Sequence, residues 1–199
     1  TPLYSSAASD VYKRQGKIYV NGNDIDAYSY GIYIYEGYCD ILIDGNNILS
    51  RDECGVYIYY GYAHVETSGN TIQSDGDGIY VYEAYSGFKA CDNMITSWWD
   101  DGIYVYYSCA YFIVCNNRID SYYYGVYLYE AYSYAIINDN WVYSRDYEGI
   151  YISDYAYGVE IKRNTIYSYN EGVYVDYSYG PTDISDNVIT SEWDYGIYL

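Results

Sequence analysis

A glycine followed by Ile or Val and then Tyr recurs at Gly31, Gly55, Gly78, Gly102, Gly125, Gly149, Gly172 and Gly196, with spacings alternating strictly between 24 and 23 residues. A fixed period of this size means stacked copies of one supersecondary unit, and it narrows the fold more than any other feature. Fifteen residues after each of the first seven glycines stands an asparagine: Asn46, Asn70, Asn93, Asn117, Asn140, Asn164 and Asn187. Four residues later comes a serine: Ser50, Ser74, Ser97, Ser121, Ser144, Ser168 and Ser191. Length varies only in the connector from that serine to the next glycine. It has four residues ("RDEC", "WWDD", "RDYE", "EWDY") or three ("DGD", "YYY", "YNE") in alternation. The larger unit is therefore a 47-residue double turn, and an earlier partial unit with Asn23, Ala27 and "YSY" fits the same scheme.

Within each unit the apolar residues alternate. Ile, Val or Leu stands one and three places after the glycine, as in Ile79 and Val81 or Val126 and Leu128. Positions ten and twelve are mostly apolar (Ile41 and Ile43, Val159 and Ile161), and position seventeen is always Ile or Val. Period 2 with β-branched residues indicates short strands. A coil of about three strands closing every 23–24 residues predicts an all-β, single-stranded parallel β-solenoid of about 7–8 coils over residues 16–199. Helical repeats would show a 3.6-residue period, and leucine-rich repeats need regular leucines, which are scarce here.

The same alternation turns the tyrosines outward. The chain has 38 of them. One column is unbroken: Tyr33, Tyr57, Tyr80, Tyr104, Tyr127, Tyr151, Tyr174 and Tyr198. A second runs Tyr35, Tyr59, Tyr82, Tyr106 and Tyr129, then changes to Ser153 and Asp176. A third is partial: Tyr38, Tyr62, Tyr85, Tyr132 and Tyr179. Two phenols per coil inside a narrow interior would leave hydroxyls without partners. The first two columns, without Tyr198, are the expected binding residues. Their ring faces would stack on sugars while hydroxyls hydrogen-bond. Stacking that merely stabilises the face explains the same columns without a ligand. Asparagine and glycine columns read as structural: stacked amides can form a ladder, and glycine fits where no Cβ is tolerated.

At these residues a family resemblance emerges. "GIYVYEAYSGFKACDNMITS" and "GVYIYYGYAHVETSGNTIQS" resemble the repeat of right-handed parallel β-helix proteins, the pectate-lyase-like group. The resemblance covers Gly16 to Leu199 and implies the handedness of the coil. The group spans polysaccharide lyases and hydrolases, epimerases, accessory proteins of metal-enzyme maturation, adhesins and surface-layer proteins, so it implies no single activity.

The chemistry-bearing residues are sparse. A formal charge of -19 argues against nucleic acid and anionic membrane surfaces. No apolar run is long enough for a transmembrane helix. Short connectors give no loop-walled catalytic cleft. Lys162 with Arg163 is the one later basic pair, Glu66 and Glu160 share a column four coils apart, and His64, the single histidine, reads as a surface residue. No catalytic residue and no metal ligand is assigned. Acidic connectors (Asp52, Glu53, Asp75, Asp77, Asp100, Asp101) could hold Ca²⁺, but "YYY" at 122–124 interrupts the ridge and a solvated charge row is the expectation. Of five cysteines, Cys91 and Cys115 share a column in adjacent coils, close enough for a bridge. Cys39, Cys54 and Cys109 have no column partner, and small-side-chain packing is the favoured role.

Residues 1–15 ("TPLYSSAASDVYKRQ") follow no part of the repeat and resemble translated adapter sequence from environmental DNA assemblies, so they are expected to be non-native or disordered. The solenoid is expected to be truncated at both ends. The expected role is a non-enzymatic, extracellular or cell-surface solenoid without cofactor, whose tyrosine face binds a polysaccharide or another copy of itself. The alternative is a fragment of a carbohydrate-active β-helix enzyme, a lyase or hydrolase.

Overall fold

The computed structural model describes residues 16–199. Among these the chain forms 24 strands and no helix. The strands assemble into three parallel sheets of eight, each sheet taking every third strand. The glycine sheet is built from three-residue strands directly after the repeat glycine, such as Ile79–Val81, Ile103–Val105 and Val126–Leu128. The middle sheet contains Asp40–Asp44, Phe88–Cys91 and Gly158–Lys162. The asparagine sheet contains Asn47–Ser50, Met94–Ser97 and Trp141–Ser144. The predicted solenoid is therefore the observed one, with every column in register: Tyr80 pairs with Tyr104 and Tyr104 with Tyr127.

The core sits on the axis and is the expected set of aliphatic columns. Ile79, Val81, Ile95, Ile103, Val105, Ile119, Val126 and Leu128 are all buried. Phe88 and Phe112 stack inside with centroids 5.7 Å apart. Burying each large side chain contributes about 1.5–3 kcal/mol. A sixth inward column was missed in the sequence. Gly37, Gly61, Ala84 and Ser108 form isolated parallel bridges at the turn after the glycine sheet. These residues are too small to register as a hydrophobic periodicity.

The repeat glycines are required by close packing. A Cβ on Gly78 would lie 2.2 Å from Ile95 Cγ2 and 2.5 Å from the Gly102 carbonyl oxygen. The asparagines do form a ladder. Asn93 Oδ1 accepts from both the backbone and side-chain amides of Asn70, at 3.0 and 2.9 Å. Asn93 Nδ2 in turn donates to Thr67 O, Cys91 O and Asn117 Oδ1, each at 3.0 Å. A buried turn that would otherwise strand these groups is thereby satisfied. The serine column caps the connector: Ser97 Oγ donates to Gly76 O at 2.8 Å and accepts from Asp100 N at 3.2 Å.

Cys91 and Cys115 form a disulfide rather than packing as free thiols, their Cα atoms 4.6 Å apart. They face each other as direct partners in the middle sheet, where parallel pairing brings the side chains together. Residues 1–15, with the non-native reading they received, lie outside the described residues.

Candidate functional site: a tyrosine face and a buried acidic ladder

Strand alternation sends the middle residue of each glycine-sheet strand outward, and parallel register stacks these residues coil on coil. Tyr80 and Tyr104 have centroids 4.9 Å apart and planes 1° from parallel. Tyr104 and Tyr127 are at 4.8 Å and 5°, and Tyr127 and Tyr151 at 5.0 Å and 0°. Tyr33 and Tyr57 continue the column downward, and Tyr174 meets Tyr151 edge-on. The second column is equally regular from Tyr35 through Tyr59 and Tyr82 to Tyr106, at 5.2, 5.0 and 4.9 Å. Tyr129 ends it, tilted by 36°. The two columns are 6.1 Å apart at Tyr127 and Tyr129.

From Tyr80 through Tyr151, and from Tyr35 through Tyr106, each ring face is covered by the next ring. The surface presents ring edges and phenolic oxygens in rows. Burial, followed by the neighbouring tyrosines, raises the Tyr80 and Tyr104 phenols well above their usual value. They remain hydroxyl donors throughout the physiological range.

The third column is longer than its sequence pattern. Tyr107 fills the gap, 5.9 Å from Tyr85 and 5.5 Å from Tyr132. Tyr155 bridges Tyr132 and Tyr179 at 5.2 and 5.8 Å. Asp154 and Tyr155 both adopt left-handed backbone, with φ of 56° and 66°, and this shifts Tyr155 into the row from a different offset. Local backbone accommodation of this kind leaves no period-based signal.

Two of the acidic connector residues depart from the solvated row expected, while Asp52 is exposed and Glu53, Asp75 and Asp100 are partly exposed. Asp77 and Asp101 are buried, at 6% and 5% exposure. Asp101 N donates to Asp77 Oδ1 at 3.0 Å, and Tyr124 N donates to Asp101 Oδ1 at 3.0 Å. This is an acidic counterpart of the asparagine ladder, running up the column just before the glycines. Cys54 Sγ donates to Asp77 Oδ2 at 3.7 Å. Burial pushes the Cys54 thiol up, keeping it protonated as that donor. Burial, then the Asp100 charge, pushes the Asp77 carboxyl up to about 8. Burial and both aspartate neighbours likewise raise Asp101. Ligand atoms of Asp77, Asp100 and Asp101 lie within 4.8 Å of one another. Beside them a depression of about 450 Å³ opens between Tyr30, Glu53, Cys54, Tyr80 and Trp99. The short connectors therefore do shape a concavity, which the sequence reading did not foresee.

Other candidate groups are taken up in pairing. Lys162 meets Glu160 at 3.1 Å and Asp183 at 2.7 Å, while Arg163 meets Asp139 at 2.8 Å. Glu66 pairs with Lys89 at 2.7 Å. His64 is half-buried rather than a free surface residue. Its Nδ1 contacts the Tyr111 hydroxyl, and its Nε2 lies 3.5 Å from Glu66.

The family described as "Right handed beta helix region" matches residues 60–199, most of the chain. The chain belongs to the right-handed β-helix family. It belongs equally to the family described as "Periplasmic copper-binding protein (NosD)", which matches residues 5–106. No curated relative and no solved structure matches the chain. The matches agree with the observed stack of parallel coils and fix its hand as right-handed.

Proposed function

We propose that this β-helix is a non-catalytic binding scaffold outside the cytoplasm, and that its tyrosine face holds an extended polysaccharide. The periplasmic description of one matching family supports the location. The observation that carries the reading is the registered array of phenols. Tyr57, Tyr80, Tyr104, Tyr127 and Tyr151 occupy one register position on successive coils, and Tyr59, Tyr82 and Tyr106 stack in a second row beside them. Rings held by stacking lose little freedom when a ligand arrives, which favours binding of a long polymer through many weak contacts. A glycan array read for both binding and product formation tests this. Retention without turnover is expected, and turnover would contradict it.

The second reading, a fragment of a carbohydrate-active enzyme, is favoured by one observation: two raised, buried carboxyls beside a depression. Against it, one oxygen each of Asp77 and Asp101 is already engaged by backbone N–H groups. Another copy of this chain is a further partner for the face, opposed by a charge of -19 on each copy.

Copper does not fit the residues present. Copper sites favour thiolate, thioether and imidazole donors. Cys91 and Cys115 are bridged, His64 faces Tyr111 and Glu66, and Met94 lies exposed on the asparagine sheet. Cys54 is hydrogen-bonded to Asp77, and the free thiols of Cys39, Cys54 and Cys109 join no converging donor group among the described residues. Among the described residues the converging donor set is Asp77, Asp100 and Asp101, all hard oxygen. No copper role is assigned to the chain.

A further inference from the structure

Charge is distributed unevenly around the solenoid. Lys17, Lys89 and Lys162 lie on the middle sheet, Arg118 on the asparagine sheet, and Arg51, Arg145 and Arg163 in the turns bordering it. Nearly all are committed to carboxylates, and Arg118 lies over the Trp141 ring at 4.1 Å. The single histidine, His64, ends one turn after a glycine-sheet strand and faces Glu66 and Tyr111, but no described Lys or Arg lies on the glycine sheet or in the turn that follows it. That turn instead carries Glu36, Glu83 and Glu130, between the second and third tyrosine columns and 47 residues apart. Asp154 occupies the same offset one coil beyond Glu130, so the two-coil register holds over Glu36, Glu83 and Glu130 only. Glu36 accepts a hydrogen bond from Tyr38 at 2.9 Å, and Glu83 accepts one from Tyr85. Among the described residues no basic side chain forms an ion pair with either. Burial and the Glu130 charge raise the Glu83 carboxyl, a penalty that an arriving cation would relieve.

The glutamates recur at every second coil, a repeat of about 10 Å at ~4.8 Å per strand step. A linear glycan with twofold screw symmetry turns the same side of every second sugar toward one face. A sugar unit and a coil step are of similar length. Uronate polymers would meet this row with like charge, and so would a second copy of the same face.

We propose that the tyrosine face is a receptor for an amine-bearing linear glycan, laid along the solenoid axis, with protonated amines of alternate sugars meeting Glu36, Glu83 and Glu130. Phenolic hydroxyls on either side hydrogen-bond the sugar hydroxyls. The proposal rests on the glycan reading of this face and adds the charge and the two-coil register.

The test is calorimetric titration at mildly acidic pH with three probes of equal length: β-1,4-linked glucosamine, N-acetylglucosamine and galacturonate oligomers. The glucosamine oligomer should bind about tenfold tighter than its acetylated counterpart, weakening with salt, and galacturonate should not bind. A Glu36→Gln, Glu83→Gln, Glu130→Gln variant should lose that preference. A variant with the same charge change elsewhere, Asp44→Asn, Asp92→Asn, Asp186→Asn, should keep it; all three of these residues are exposed. Equal losses in both variants would mean general attraction to an acidic protein and would overturn the proposal. Equal affinity for amine and acetylated oligomers, unchanged in the Gln variant, would also overturn it while leaving the glycan face standing. Binding of no oligomer would end both.

Discussion

Tyr104 stacks on Tyr127 with ring centroids 4.8 Å apart and planes 5° from parallel. The pair is a direct consequence of strand register, since the two residues are partners in adjacent coils. It also determines what the outer surface offers. Faces are taken by neighbouring rings, and hydroxyl-bearing edges are what remains for a ligand.

Stacking and hydrogen bonding should therefore separate by mutation. Tyr104→Phe keeps the ring and should leave the unfolding free energy nearly unchanged. Tyr104→Ala removes stacking to both Tyr80 and Tyr127 and should cost about 2 kcal/mol. Urea unfolding of the two variants measures the difference. Equal destabilisation would mean that the hydroxyl, not the ring, holds the column.

The asparagine ladder makes a stronger demand on its members. Asn93→Leu would remove an acceptor from both amides of Asn70 and a donor from the carbonyls of Thr67 and Cys91. The expected loss is about 3–5 kcal/mol, because several buried groups lose partners at once. The same change at Asn23, which is exposed, should cost far less. Denaturation midpoints compare the two, and equal costs would contradict a cooperative ladder.

The disulfide closes a 24-residue separation between neighbouring coils. Loop entropy assigns it about 3 kcal/mol. Intact mass after alkylation in denaturant without reductant should show Cys39, Cys54 and Cys109 labelled and Cys91 and Cys115 protected. Reduction should lower the melting temperature. Labelling of all five cysteines without reductant would exclude the bridge.

Stability should fall with rising pH, opposite to the usual carboxylate trend. An unfolded aspartate titrates near pH ~3.9. Burial raises Asp77 in the folded protein to about 8, so between these values the native state holds a proton that the unfolded chain has lost. Glu148, raised by burial to about 6, acts in the same direction. Melting temperature should drop as pH climbs from about 4 toward 8, the stabilisation being complete below the unfolded value. Asp77→Asn supplies a neutral isostere and should flatten the curve. A melting temperature that rises over this range would contradict the assignment.

Much of this architecture was legible before any coordinates. Gly78, Asn93 and Ile95 recur at fixed offsets, and a solenoid requires such columns to align. The outward direction of Tyr80 and Tyr104 followed from alternation with Ile79, Val81, Ile103 and Val105. What escaped the sequence was set by geometry without periodicity. Tyr155 enters its row through two consecutive left-handed residues. Asp77 and Asp101 looked like surface charge because their composition is polar, yet the connector turns them inward to accept backbone N–H groups. Ring orientation within a column was equally invisible, because alternation fixes the side of a sheet and not the plane of a ring.

The central claim concerns the phenolic edges, and one titration addresses it most directly. Glycan binding by the wild type should be compared with a Tyr80→Phe, Tyr104→Phe, Tyr127→Phe variant that retains its melting temperature. A fall in affinity of about tenfold or more is the expected result, each lost hydroxyl contributing about 0.5–1.5 kcal/mol. Undiminished binding by the folded triple variant would contradict it.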